Sequence, residues 1–367
     1  QAVLKGLPTF IRLPKAWQPE AWSSFKDQVC RLVKALYGHP HAGDFWHDRF
    51  QAELVTLEFK TIDGWPSVCV RELNKKDRII ICVYVDDLVI LGPKDIYPVF
   101  EALRKEIEMD DPHALNKYLG CFHHFLEATV NGEQVTTIQF DIADYFKSAC
   151  EIFVAETGET LKPASTPFAP EINSEDFDHL LNTPGKFSSK AASFIMKLMY
   201  GARMAMLQIC VIVSRLASQI TKWSADNDRR LLRVYGYLHA NTDKVLTGTL
   251  SKSDRKHLKI IAWPDADLNY DFMSTKSTDG FFVELAGREG RGFPLAWGSH
   301  RQGSTAMHTA EAETVSLAHC CRQELIPLQI LLQAMLGEAV DCVVKEDNAA
   351  CTIAVMKGYS PSLRHLK

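Results

Sequence analysis

The sequence predicts an α/β protein built from more than one domain, and three observations carry that prediction. A chain of 367 residues is long enough for two or three domains, each with its own core. The stretch from Ile79 to Leu91 is apolar and rich in β-branched residues on both sides of Asp86-Asp87, which reads as a strand pair around an acidic turn. The last third reads as three strands, helix, helix, strand, helix, a mixed order suited to a sheet covered by helices.

Composition excludes several classes. Apolar content of 46% and charged content of 23% are those of an ordinary globular protein. The ten cysteines are scattered without CxxC or Cys/His ligand spacing, so neither a zinc site nor a disulfide framework is indicated, and a reducing, intracellular compartment fits. The most apolar helical segment, Met204 to Ser214, is bounded by Arg203 and Arg215 and falls short of the about 20 residues a bilayer requires, so a soluble chain is expected. The chain does not begin with Met and reads as a piece of a longer polypeptide. A net charge of −4 does not advertise a polyanion partner. Nucleic acid would have to meet local basic surfaces: Arg71 to Arg78 with Lys75 and Lys76, Arg229-Arg230-Arg233, or Lys252-Arg255-Lys256-His257-Lys259, each of which also reads as a plain solvated face.

Along the chain, Cys30 to Phe50 has helical spacing broken at Tyr37-Gly38-His39-Pro40. Val68 to Leu91 reads as strand, turn, strand, turn, strand. Ile96 to Met109 reads as an amphipathic helix with Pro98 in its first turn. Glu156 to Lys190 collects Pro163, Pro167, Pro170 and Pro184 and reads as a linker. Phe194 to Ile220 and Asn227 to His239 read as two helices, the first buried and the second amphipathic. Strands follow at Lys259 to Trp263, closed by Pro264, then at Gly280 to Leu285 and Gly292 to Trp297. Helices are expected over Thr309 to Gln323 and Pro327 to Gly337, then a strand at Cys342 to Glu346 and a helix at Ala349 to Met356.

Two acidic constellations stand out. Asp86 and Asp87 are adjacent carboxylates in an apolar run, and such groups resist burial unless a cation neutralises them or one takes a proton. An ordinary Asp-containing turn is the alternative. In the last third, Asp265 lies just past a strand, Glu313 in a helix, and Asp347 at a strand-to-helix join. Carboxylates so distributed can converge above a sheet on two metal ions that activate a water and stabilise a leaving phosphodiester oxygen. Asp347 could instead be a helix N-cap, and Glu311 and Glu313 could be exposed on their helix.

Together these features resemble the reverse transcriptase and ribonuclease H region of a copia-type LTR retrotransposon Pol polyprotein. The resemblance rests on Leu36-Tyr37-Gly38 with Trp46, Tyr84-Val85-Asp86-Asp87, Met109-Asp110-Asp111 with Tyr118-Leu119-Gly120, and Thr166-Pro167. It continues through Tyr200-Gly201 to Ser214-Arg215, Leu232 to Leu238, Asp265-Ala266-Asp267, Lys276 to Gly280, Trp297, Glu311-Ala312-Glu313 and Asp347-Asn348. It implies a partial polymerase palm over residues 1–128, a thumb or connection region over 129–250 with the linker at 156–190, and a ribonuclease H-like domain over 251–367. Asp86, with Asp87 beside it, would hold metal for nucleotidyl transfer, Tyr84 would support the primer end, and Tyr37 and Gly38 would contact substrate. Asp265, Glu313 and Asp347 would hold the two Mg2+ ions, or Mn2+ in their place, that cut RNA in an RNA–DNA hybrid. Implied partners are an RNA template, the hybrid, deoxynucleotides and the remainder of the polyprotein, with no membrane. The implied location is a cytoplasmic virus-like particle or the nucleus.

The chain also departs from that family. The first polymerase aspartate of the family precedes the Leu-Tyr-Gly block, yet Gln1 to Ile11 has no acidic residue, so poor polymerisation by this chain alone is expected. His39-Pro40-His41 replaces the usual Lys-Gln, Thr314 replaces an aromatic, and the chain ends at Lys367 before a fourth ribonuclease H ligand. A copy that only binds nucleic acid or assembles is the competing expectation. A stand-alone metal phosphohydrolase is a further one.

Overall fold

The computed structural model describes residues 3–4, 8–36, 38–74, 77–93, 96–271 and 275–359, with the side chains of 269–271 outside that description. Helices and antiparallel sheets alternate along the chain, as the α/β reading expects. The chain divides into two compact units, one of residues 1–113 with 334–337 and one of residues 114–333 with 338–367.

In the first unit, β1 (Phe10–Ile11) pairs with β2 (Cys30–Arg31). Helix α1 runs over Ala42–Thr56. The helical spacing read before Tyr37 therefore does not form helix: Cys30 is taken into a strand pair, and the helix starts only after the Gly38 turn. A four-stranded antiparallel sheet follows, from β3 (Lys60–Ile62), β4 (Trp65–Glu72), β5 (Arg78–Tyr84) and β6 (Asp87–Leu91) in that order. Helix α2 (Tyr97–Glu106) carries Pro98 in its first turn, where no amide donor is needed. Phe50 and Leu54 of α1, Ile79, Ile81 and Val83 of β5, and Val99 and Leu103 of α2 form the core of this unit. The alternation of β5 thus turns one apolar face onto the two helices.

The second unit opens with β7 (Lys117–Tyr118), β8 (Cys121–Val130) and β9 (Glu133–Asp141), then α3 (Ala143–Thr157). Helix α4 (Ser174–Asn182) lies inside the stretch read as a linker, capped by the Asn173 side chain accepting from the Asp176 amide. The long helix expected from Phe194 is two, α5 (Ala191–Met204) and α6 (Cys210–Ser218), joined by a 3₁₀ turn over Leu207–Ile209. Neither glycine nor proline breaks it. Ala205, Met206 and Ile209 are buried in the core, and their packing overrides helix propensity. Helix α7 spans Ala225–Ala240. Phe146, Phe153, Phe194, Leu198, Ile212 and Tyr235 centre the core that α3, α5, α6 and α7 share.

Strand β10 (Leu246–Ser251) returns to pair with β9, closing the sheet order β10-β9-β8-β7. A second sheet holds β11 (Lys259–Asp271), β12 (Lys276–Ala286) and β13 (Gly292–Arg301). Helices α8 (Thr309–Cys320) and α9 (Ile326–Leu336) are joined through a wide π turn, then come β14 (Asp341–Val344) and α10 (Ala349–Lys357). The sheet order is β13-β12-β11-β14, antiparallel except for the parallel β11–β14 pair. Strand β11 does not stop at Pro264. Its ladder with β14 ends at Ala262, and beyond that a proline costs no bond on that side. Asp265 is therefore inside the strand, opposite Gly280, not past its end.

Among the described residues, no helix is long and apolar enough to cross a membrane. None of the ten cysteines is in a disulfide among the described residues.

Candidate active site

The acidic turn of the first unit is a two-residue hairpin. Tyr84 pairs with Asp87, which leaves Val85 and Asp86 as the turn itself. Val85 adopts φ of 53°, a left-handed conformation that a β-branched residue takes only at a cost. Trp46 of α1 donates its indole N–H to the Val85 carbonyl at 2.8 Å, fixing the turn to the helix. The β5 flank is largely buried, whereas on β6 Leu88 to Ile90 are half-buried and Leu91 is exposed. Tyr84, Asp86 and Asp87 are exposed, so the buried hairpin expected from the apolar run holds on one side only. Gly38 sits in a turn with φ of +90°, a conformation natural to glycine. Tyr37, Lys75 and Lys76 lie outside the described residues.

The acidic residues of the last third do converge. One carboxylate oxygen from each of Asp265, Glu313 and Asp347 lies within 4.8 Å of the others. Three elements bring them there. Strand β11 carries Asp265, α8 carries Glu313, and Asp347 follows β14, whose parallel pairing with β11 sets both at one end of the sheet. The alternatives weighed from sequence do not hold: Glu311 and Glu313 are buried, not exposed on their helix, and Asp347 is not the cap of α10. Asn348 caps α10 by accepting from the Cys351 amide, which leaves the Asp347 carboxylate out of the cap. Glu311 closes the start of α8, accepting from the Met307 amide while its own amide donates to His308. Asp267 is raised above its ordinary value by burial and by Asp265, but is not in the trio.

Glu346 is the residue that sequence reading missed. One of its oxygens accepts from the Asn348 amide at 3.0 Å; the other, Oε2, is buried without a partner. Glu313 Oε2 is likewise buried and unpartnered. Burial, then Glu346, Asp265 and Asp347, push the Glu313 carboxyl up to about 7, against one amide donated by Ala266. Glu346 is itself raised, chiefly by burial. The only signal in the chain was an acidic residue directly before Asp347.

Four carboxylates, two of them ending in orphaned buried oxygens, are a poor arrangement for water alone and a good one for a hard divalent cation. Asp86 and Asp87 belong to no comparable group of three or more potential ligands among the described residues.

The basic stretches are mostly occupied within the fold. Arg229 and Arg230 both bind Asp226, and Arg233 donates to Thr166. Arg71 pairs with Glu58 and Arg78 with Glu72.

Residues 10–152 match the family model described as reverse transcriptase (RNA-dependent DNA polymerase). Over that segment the chain is similar to reverse transcriptase domains. It is 24% identical over 364 residues to the retrovirus-related Pol polyprotein from transposon TNT 1-94 of Nicotiana tabacum, covering 95% of this chain and 25% of that protein. Against the corresponding polyproteins from transposons RE1 and RE2 of Arabidopsis thaliana the identities are 25% over 295 residues and 26% over 299. Those two alignments cover 79% and 80% of this chain, and 18% of each relative. The chain thus spans a quarter or less of the length of these relatives, and the copia-type resemblance read from its motifs is what the comparisons return.

Proposed function

We propose that this chain serves a retrotransposon Pol polyprotein in two ways: the Tyr84-Val85-Asp86-Asp87 hairpin in RNA-directed DNA synthesis, and the acidic group of the last third in cutting the RNA of an RNA–DNA hybrid. The observation that carries the second half is the meeting of Asp265, Glu313 and Asp347 within 4.8 Å, with buried Glu313 and Glu346 oxygens left unpartnered. Asp265, Glu313 and Asp347 hold Mg2+, and Glu346 adds charge beside them. Bound magnesium supplies an activated water and stabilises charge on the leaving oxygen. The protein's own part is positioning. The β11–β14 pairing and α8 hold the carboxylates in register before substrate arrives, so no reorganisation is needed during reaction.

In the hairpin, Asp86 is a metal ligand for nucleotidyl transfer with Asp87 beside it, Tyr84 supports the primer end, and Tyr37 and Gly38 contact substrate. Residues 1–128 form part of a polymerase palm, 129–250 a connection and 251–367 a ribonuclease H-like domain. The partners are an RNA template, its hybrid, deoxynucleotides and the rest of the polyprotein.

The test is magnesium-dependent cleavage of a labelled RNA–DNA hybrid by the wild-type chain and by Asp347→Asn. The reading expects cleavage by the wild type, a loss of 100-fold or more in the variant, and hybrid binding within about threefold of wild type in both, since removing one metal ligand acts on chemistry more than on grip. Wild-type binding without any cleavage would establish the alternative, a copy kept only to bind or assemble.

A further inference from the structure

We propose that this chain has a second metal site, selective for zinc, formed by Asp279, His300 and His319. It shares no residue with the acidic group above. Asp279 on β12 and His300 on β13 are direct cross-strand partners, which puts their side chains on one face of the sheet. His319 reaches them from the last turn of α8. One potential ligand atom from each of the three lies within 4.8 Å of the others.

The distances suit a tetrahedral ion. His300 Nε2 lies 2.9 Å from His319 Nδ1 and 3.6 Å from Asp279 Oδ2. Two nitrogens bound to one tetrahedral zinc stand about 3.3 Å apart, so shifts of a few tenths of an ångström would complete the coordination. The donor set also selects. Two imidazoles and one carboxylate suit zinc, whereas magnesium prefers an all-oxygen shell.

The surroundings are those of a supported ligand set. Asp279 is almost wholly buried, and its Oδ1 accepts from Gln302 Nε2 at 2.5 Å. The same amide donates to the Ala312 carbonyl of α8, so Gln302 locks the carboxylate and leaves Oδ2 toward His300. Ser316 Oγ, within reach of Asp279, donates to the Asp265 carbonyl at 2.8 Å. His300 remains partly exposed, which leaves an entry path and room for a water as fourth ligand. A bound ion would staple α8, which carries Glu313, to β12 and β13.

The test is zinc binding by the whole chain, stripped with chelator and titrated with Zn2+ in millimolar Mg2+, with Co2+ as a spectroscopic probe. The proposal expects a site of three protein ligands with a tetrahedral cobalt spectrum, weakened 100-fold or more in His300→Gln and in His319→Gln. It expects the site intact in the double variant Asp265→Asn with Glu313→Gln. Binding in both histidine variants within threefold of wild type would overturn it, as would loss in the acidic double variant alone. X-ray absorption of the zinc-loaded wild type gives a readout independent of any variant's folding. Imidazole scattering from two ligands supports the site, and a shell of oxygens alone overturns it.

Discussion

Trp46 and Val85 stand 39 residues apart and are joined by a single hydrogen bond, the indole N–H to the carbonyl at 2.8 Å. That bond lands on the residue whose backbone is strained, one position before Asp86. The helix α1 thereby sets the direction of the turn that presents the acidic pair. Trp46→Phe keeps the ring packed near Phe50 and removes only the donor. A net hydrogen bond of this kind contributes about 1 kcal/mol. Primer extension by a polyprotein carrying the variant should fall roughly three- to tenfold while the thermal midpoint moves little, and unchanged extension would remove the indole from this role.

The turn itself makes a separate prediction. A valine at φ of 53° stores about 1–3 kcal/mol that glycine would not. Against this, glycine costs up to about 1 kcal/mol in unfolded-state entropy. Val85→Gly should therefore leave the first unit as stable as before or more so, measured by thermal or urea unfolding. In a relaxed turn the same change would destabilise.

Glu346 faces Glu313 from the loop after β14, and the two leave one buried oxygen each without a partner. Glu346→Gln removes a negative charge from beside the trio without changing shape. Mn2+ affinity, measured by calorimetry, should drop roughly tenfold, the scale of losing a neighbour that tunes a metal ligand. Metal-free stability should rise, because the repulsion on Glu313 is relieved. A simultaneous loss of both would mean that Glu346 serves the fold alone.

How much of this was readable beforehand depends on how local each feature is. The hairpin at Val85-Asp86 was legible because β-branched runs flank it and pair with adjacent sequence. Glu313 and Asp347 were legible as positions on a helix and at a strand end, whereas Asp265 was read just past a strand that in fact continues through it. Their convergence needed the parallel β11–β14 pair, which joins Lys259 to Asp341. The pairing of Leu246 with Phe140 joins strands more than 100 residues apart and left no local trace. Asp347 was the residue read as a possible cap of α10, but the structure gives the cap to Asn348, which accepts from the Cys351 amide. The basic run Arg229-Arg230-Arg233 read as an outer face because the expected helix began at Asn227, leaving out Asp226, the partner of Arg229 and Arg230 in the first turn of α7.

Asp228 gives the clearest stability prediction. It is buried and accepts from the Trp223 indole at 2.6 Å, from the Phe187 amide at 3.2 Å and from the Lys186 amide. Asp228→Ala would strand three donors, two of them on the loop that leads into α5. Each buried unsatisfied donor costs about 1–3 kcal/mol, so a loss of about 3 kcal/mol or more is expected. Asp228→Asn keeps one acceptor oxygen and should lose less. Urea unfolding of the two variants tests the order, and equal losses would refute the hydrogen-bond account.

The same acidic group that would bind metal should make the metal-free protein sensitive to pH. Glu313 has an ordinary value of 4.5 and is pushed up to about 7 by burial, with Glu346, Asp265 and Asp347 facing it. Between those values the folded chain keeps a proton that the unfolded chain has released. Stability without metal therefore falls as pH rises from about 4.5 to about 7, and levels off above. Metal needs the ionised carboxylate, so affinity runs the other way, rising by up to tenfold per pH unit until about 7. Thermal midpoints in chelator should drop from pH 5 to pH 8, and added Mg2+ should restore more of the midpoint at pH 8 than at pH 6. Glu313→Gln should flatten both trends. If Mn2+ bound equally at pH 6 and pH 8, Glu313 would not be among its ligands.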